Sequence, residues 1–278
     1  MPATPEDAPQ DTPADLRPDR SADPPPNLGS DLPAALLADI ALAEELAGAA
    51  GELLLRLRAD GADRVAADGT ADAYLLAELA ARRPGDAVLS EESPDDPARL
   101  ASARVWIVDP LDGTREYRAP GRTDWAVHVA LWSGGELVAG AVTLPALGEL
   151  WSSGAVAVGP DRPVRRIAVS RTRAPAWTAA VAADLGAELV PMGSAGAKVA
   201  AVLRGEVDAY LHDGGQYEWD SAAPVAVARA AGLHTARIDG SPLEYNRPDP
   251  WSPDLMVCPP GAAGRMVELV TLHREESS

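Results

Sequence analysis

The run Asp109-Pro110-Leu111-Asp112-Gly113-Thr114 places two carboxylates, a rigid proline and a hydroxyl close together in the chain. Proline fixes its own backbone and biases Asp109 towards an extended conformation, which predicts that a strand ends there. A tight turn then brings the carboxylates of Asp109 and Asp112 to one side, with the Leu111 carbonyl between them. Carboxylates so close repel, and one pKa rises sharply unless a cation sits between them. A hard divalent ion with oxygen ligands meets that need. Gly113 and Thr114 begin a turn or helix, where backbone N–H groups can face an anion and the Thr114 hydroxyl can orient a water.

Two further acidic positions share this setting. Glu91-Glu92 follows Val88-Leu89-Ser90, where a buried strand emerges, and Asp220 follows Trp219 at the head of an apolar helix. Each has a plainer reading alone: a solvated loop for Glu91-Glu92, a helix N-cap for Asp220, a surface turn for Asp109 to Thr114. Together they point to one metal site. The histidines (His128, His212, His234, His273) have no ligand spacing and read as structural, which argues against zinc. Cys258, the one cysteine, sits in an apolar run and reads as a buried strand thiol.

The elements that must position these groups follow from periodicity and turn chemistry. Residues 1–31 carry eight prolines and seven acidic residues, a composition expected to stay disordered. A helix or helix pair runs from Leu32 through Leu57, followed by an Asp/Gly-rich loop (Asp60 to Thr70) and a helix from Ala71 to Arg83. Strands are predicted at Ala87–Leu89, Val105–Val108, Trp125–Trp132 and Leu137–Leu144, the last two joined through Ser133-Gly134-Gly135. Gly154 to Pro163 reads as a seam, dividing residues 32–160 from 161–278. The second part alternates: strand Ile167–Val169, helix Ala176–Leu185, strand near Leu189, helix Ala197–Leu203, strand Val207–His212, and helices Ser221–Ala231 and Ala262–His273. This alternation predicts a layered α/β architecture.

The chain has 278 residues and a net charge of -18, from 24 basic and 42 acidic residues. That balance argues against a nucleic-acid surface, while bound cations would still allow a small anionic substrate. No apolar run reaches membrane-spanning length, and the acidic N-terminus lacks signal-peptide character. The expectation is a soluble, cytoplasmic protein.

Ser90-Glu91-Glu92, the hexapeptide Asp109 to Thr114, and Trp219-Asp220-Ser221-Ala222-Ala223-Pro224 resemble the signatures of the inositol monophosphatase superfamily, in order and spacing, from about residue 33 to 270. Asp112-Gly113-Thr114-Arg115-Glu116-Tyr117 is similar to the CysQ type, the 3'-phosphoadenosine 5'-phosphate phosphatases; inositol monophosphatases proper tend to carry Thr-Asn-Phe after the glycine-threonine pair. Pro84 to Glu92, Gly193-Ser194-Ala195-Gly196-Ala197-Lys198 and Tyr217-Glu218-Trp219-Asp220 extend the parallel to actinobacterial CysQ.

The resemblance implies an αβαβα sandwich and a lithium-sensitive phosphomonoesterase using two or three Mg²⁺ ions. It implies that Glu91, Asp109 and the Leu111 carbonyl hold one ion, and that Asp109, Asp112 and Asp220 hold a second. Asp68, Thr114 and Glu91 become the catalytic candidates, with Thr114 orienting the attacking water and Asp68 behind it. Where the family shows Val-Thr-x-x-Asp, this chain has Val65-Ala66-Ala67-Asp68, one residue shorter and without the threonine, and Asp63 and Asp72 compete for that role. Gly113, Thr114, Gly193, Ser194, Lys198 and Glu218 are the implied substrate contacts, Lys198 for a second phosphate and Glu218 for a sugar hydroxyl. The implied reaction is hydrolysis of adenosine 3',5'-bisphosphate to AMP in sulfate assimilation, with 3'-phosphoadenosine 5'-phosphosulfate as a further substrate. A broader inositol monophosphatase or fructose-1,6-bisphosphatase is the alternative, and the family often forms homodimers.

Overall fold

Helix α1 (Ala34–Ala59) is rich in alanine, leucine and glutamate, strong helix formers. It places Arg56 and Arg58 in its last turn, where they complement the helix dipole. It stops at Asp60 and Gly61, the glycine supplying the left-handed residue (φ 75). Ile40, Leu42, Leu46 and Leu54 are buried, each contributing about 1.5–3 kcal/mol. The structure of the protein, a computed structural model, describes residues 33–155 and 161–275. The proline-rich stretch 1–31 therefore falls outside the described residues, as does part of the expected seam.

Helix α2 spans Arg64–Arg82, so the expected loop Asp60 to Thr70 is mostly helix. Asp63 starts it early: its side chain accepts the Ala66 N–H at 3.0 Å, a capping contact worth about 1 kcal/mol.

The first sheet has the order β1 (Ala87–Ser90), β2 (Arg104–Asp112), β3 (Ala126–Ser133), β4 (Glu136–Leu144), β5 (Glu149–Ser152). β1 and β2 are parallel and the rest antiparallel. β3 and β4 form the expected hairpin, with Gly134 (φ 62) and Gly135 (φ 95) giving the two positive φ values that such a turn favours. β2 does not end at Asp109. It continues through Pro110 to Asp112 with a register shift against β3. The shift leaves Pro110 with no ladder partner to serve, so its missing N–H costs nothing.

A short helix α3 (Thr114–Arg118) follows. The second sheet has the order β7 (Glu188–Met192), β6 (Arg166–Ser170), β8 (Ala209–Tyr217), β10 (Trp251–Cys258), β9 (His234–Ala236). β7, β6 and β8 run parallel, and β10 is antiparallel to β8 and β9. Its helices are α4 (Trp177–Leu185), α5 (Ala195–Leu203), α6 (Glu218–Ala230) and α7 (Ala263–Glu275).

Three apolar cores order these elements into five layers. α1 and α2 cover the outer face of the first sheet. α5 and α6 fill the space between the sheets, and α4 and α7 cover the second sheet from outside. This is the expected αβαβα sandwich. Gly140 on β4 lets α6 come close, since a Cβ there would lie 2.5 Å from the Ala226 Cβ. Among the described residues no helix is long and apolar enough to cross a membrane.

Candidate active site

The register shift in β2 sets up the centre of the site. Asp109 Oδ1 accepts the Leu111 N–H at 3.0 Å, a local turn inside the strand's irregularity. Carboxylate oxygens of Asp109, Asp112 and Asp220 then lie within 4.8 Å of one another. Asp220 arrives from the far side, in the first turn of α6, where its Oδ2 accepts the Tyr217 N–H at 2.6 Å. Asp109 is 1 % exposed, and its Oδ2 is buried with no hydrogen-bond partner.

Charge accumulates accordingly. Burial, then the charges of Glu91 and Asp112, holds the Asp109 carboxyl well above the ordinary range. Burial and Asp112 raise Asp220 to about 6. Glu91, exposed as a residue, tucks its carboxyl end against Asp109; burial there and the charges of Asp220 and Asp68 push it to about 8. Asp112 is the exception. Burial opposes its ionisation, yet His128, Lys198 and the Ser194 hydroxyl bring it down to about 2. An orphaned buried oxygen among unneutralised carboxylates is the donor set a divalent cation fits. Asp109, Asp112 and Asp220 form a divalent-metal site.

The three competitors on α2 separate cleanly. Asp63 is the cap. Asp72 is buried and accepts Ser90 Oγ at 2.5 Å and Ser93 Oγ at 2.7 Å, clasping the Glu91-Glu92 turn from both ends. Asp68 is buried inside the helix, within electrostatic reach of Glu91 and Asp109.

A cavity of about 260 Å³ opens beside the cluster. Asp112, Thr114, Arg115 and Glu116 line one side, and Arg171, Arg173, Met192, Gly193, Ser194, Lys198, Tyr210 and His212 line the other. Gly113 takes φ 86, and a Cβ there would press on Asp124, Trp125 and Ser194.

Several expectations need correction. Two N–H groups at the head of α5 are already engaged: Gly193 N–H donates to Asp124 Oδ2 at 2.7 Å and Gly196 N–H to Asp112 Oδ2 at 2.9 Å. Ser194 Oγ donates to Asp112 Oδ2 at 2.5 Å. Gly193 is instead required by close approach, because a Cβ would overlap the Glu116 side chain. Lys198 reaches the cavity wall, but its ammonium donates to the carbonyls of Gly193 (3.1 Å) and Ser194 (2.6 Å) and lies over the Tyr210 ring. Burial lowers its pKa to about 8. It braces the loop. Glu218 is turned away from the cavity, and its carboxylate accepts the N–H groups of Asn246 (2.6 Å) and Arg247 (2.9 Å).

Other groups at the site escaped sequence reading. His128 is fully buried, with Nδ1 donating to the Trp219 carbonyl at 3.1 Å and Nε2 3.2 Å from Asp112 Oδ2. The alternation Ala126, His128, Ala130 along β3 was a signal for it, placing the ring on the face towards α5. Arg171 and Arg173 follow the carboxyl end of β6, where α/β sheets bind ligands. Arg171 is ion-paired with Glu116 across the cavity.

Comparison with known proteins adds matches in sequence and in fold. The profile of the inositol monophosphatase family matches residues 34–271. A Mycobacterium leprae protein named "3'-phosphoadenosine 5'-phosphate phosphatase" is 53% identical over 239 residues, covering 78% of this chain and 88% of that one. A Mycobacterium bovis protein of the same name is 54% identical over 226 residues, covering 75% and 84%. Among solved structures, CysQ from Bacteroides thetaiotaomicron matches with a TM-score of 0.67 at 27% identity, over 80% of this chain and 97% of that one.

Proposed function

The chain belongs to the inositol monophosphatase family, and from that premise we propose that it hydrolyses the 3'-phosphate of adenosine 3',5'-bisphosphate, yielding AMP and phosphate. The observation that carries this reading is the polarity of the cavity. Its wall carries carboxylates of the acidic cluster, Asp112 and Asp220, together with the arginines Arg115, Arg171 and Arg173, which suits a substrate with more than one anionic group. The names of the mycobacterial relatives support the same substrate.

Magnesium is the ion we assign to Glu91, Asp109, the Leu111 carbonyl, Asp112 and Asp220, as two or three ions. When bound, magnesium supplies Lewis-acid activation of water and neutralises charge on the ester oxygens. The protein's own part is positioning. Thr114 directs its hydroxyl at the attacking water, and Asp68 takes the proton. The water oxygen bonds to phosphorus as the bond to the ribose 3'-oxygen breaks, and that oxygen leaves to be protonated from solvent. Asp112, kept ionised by His128 and Ser194, does not compete for the proton. Arg173, with Arg115 and Thr172 beside it, holds the second phosphate, while Glu116 fixes Arg171. We assign this hydrolysis to sulfate assimilation in the cytoplasm.

The test is a steady-state panel with Mg²⁺ on adenosine 3',5'-bisphosphate, its 5'-phosphosulfate analogue, inositol-1-phosphate and fructose-1,6-bisphosphate. The nucleotides should lead in kcat/KM. A tenfold preference for inositol-1-phosphate would replace this reading with the broader phosphatase.

A further inference from the structure

Strand β8 turns sharply just before it delivers Asp220. Gly214 (φ 109) and Gly215 (φ 86) both take positive φ, and the register against β10 shifts between Ser252 and Asp254. Trp251 packs on Gly215 so closely that a Cβ there would lie 1.8 Å from the indole. From inside, His212 Nε2 donates to the Gly215 carbonyl at 3.1 Å. The residue fixed by this clamp is Gln216, paired with Ser252.

Gln216 is 6 % exposed and lines the cavity, and its Oε1 is buried with no hydrogen-bond partner. Buried acceptors are rarely left so, and one that borders a cavity calls for a donor that arrives with a ligand. Its position along the cavity is set by the next peptide. The Tyr217 N–H donates to Asp220 Oδ2 at 2.6 Å, which holds the Gln216 Cα within about 5 Å of that carboxylate. The Gln216 side chain therefore starts beside the Asp220 carboxylate, a member of the metal cluster.

We infer that Gln216 is a specificity-determining residue that accepts a hydrogen bond from the hydroxyl vicinal to the scissile phosphate, the 2'-hydroxyl of a ribose 3'-phosphate. The inference rests on the nucleotide reading above. In such a substrate the 2'-hydroxyl is the donor beside the reacting centre, whereas the amine of the base lies far along the molecule. A site built to pair a buried polar group with a substrate hydroxyl rejects the analogue that lacks it.

The experiment is a cycle of residue against substrate group. Wild type and Gln216→Leu are each assayed with Mg²⁺ on adenosine 3',5'-bisphosphate and on 2'-deoxyadenosine 3',5'-bisphosphate. Wild type should favour the ribonucleotide by about tenfold in kcat/KM, the size of one hydrogen bond, and the variant should treat the two alike. A ratio kept at its wild-type value in the variant overturns the inference and leaves the nucleotide reading standing; so does a wild type indifferent to the 2'-hydroxyl, which needs no variant at all. A wild type that hydrolyses neither nucleotide overturns both. If leucine disturbs the strand, Gln216→Met, checked by its Tm, repeats the cycle with an unbranched side chain.

Discussion

At the carboxyl ends of β1 and β2 the site meets Glu91, Asp109 and Asp112; at the carboxyl ends of β6 and β7 it meets Arg171, Arg173 and the Gly193-Ser194 loop. The two sheets thus use the same structural position for opposite charges. In the acidic wall Asp109 and Asp112 are buried, and the fold holds the wall through the Asp109–Leu111 contact and the Asp72 clasp. The basic wall is exposed at Arg171, Thr172 and Arg173. A buried cluster tolerates little change, because each unpaired charge is costly out of water. An exposed loop can vary with the substrate. The comparison teaches that the first sheet supplies Asp109 and Asp112 of the acidic cluster, with Asp220 added from the head of α6, while the exposed arginine loop comes from the second sheet.

The largest effect should come from breaking the acidic wall. Asp112→Asn should lower kcat on the order of 10³-fold, and by the same factor on nucleotide bisphosphate and inositol-1-phosphate, read as released phosphate. A loss confined to one substrate would erase the contrast between the two walls. On the basic wall, Arg173→Ala should cut the kcat/KM ratio of adenosine 3',5'-bisphosphate over adenosine 3'-monophosphate by about 10–100-fold, the worth of a charge-assisted contact. An unchanged ratio would assign the second phosphate elsewhere.

Asp72→Ala sharpens the comparison. It should weaken magnesium affinity by about 10-fold, as loss of a group orienting a ligand does. Titration of activity with Mg²⁺ reads this as a shifted midpoint with a nearly normal plateau. The smallest expected effect is thermal. Glu91 and Asp220 are raised to about 8 and about 6 in the fold, above their ordinary values, so the metal-free fold loses stability as pH climbs from about 4.5 to 8. Saturating Mg²⁺ removes that penalty. Its Tm increment should grow over the same window, reaching about 5–10 °C at pH 8; an increment independent of pH would count against charge crowding as its cause.

Much of this was legible before any coordinates. Asp109, Asp112 and Asp220 stood out because their carboxylates sit beside apolar strand or helix patterns; alternation gave the layered α/β class, and the five-layer order came from the family resemblance. The strand through Pro110 was not legible, because a bulge excuses a proline that would otherwise end a ladder. Nor was the early start of α2, where one side-chain cap at Asp63 overrode a loop-like composition. Lys198 misled for another reason. Its charge is visible in sequence, but the two carbonyls that occupy it are formed only when the loop before α5 closes. Gln216 carries no charge and belongs to no motif, so only the vacancy around its oxygen reveals it.

The close approach of Gly140 to α6 gives the metal cluster a remote point of control. Asp220 rides at the head of that helix, and the Ala226 contact lies about 9 Å further along its axis. One methyl group added to β4 would act as a wedge, tilting a rigid rod and swinging its acidic tip out of register with Asp109 and Asp112. A residue that touches neither ion nor nucleotide therefore tunes how well the two sheets share their cargo.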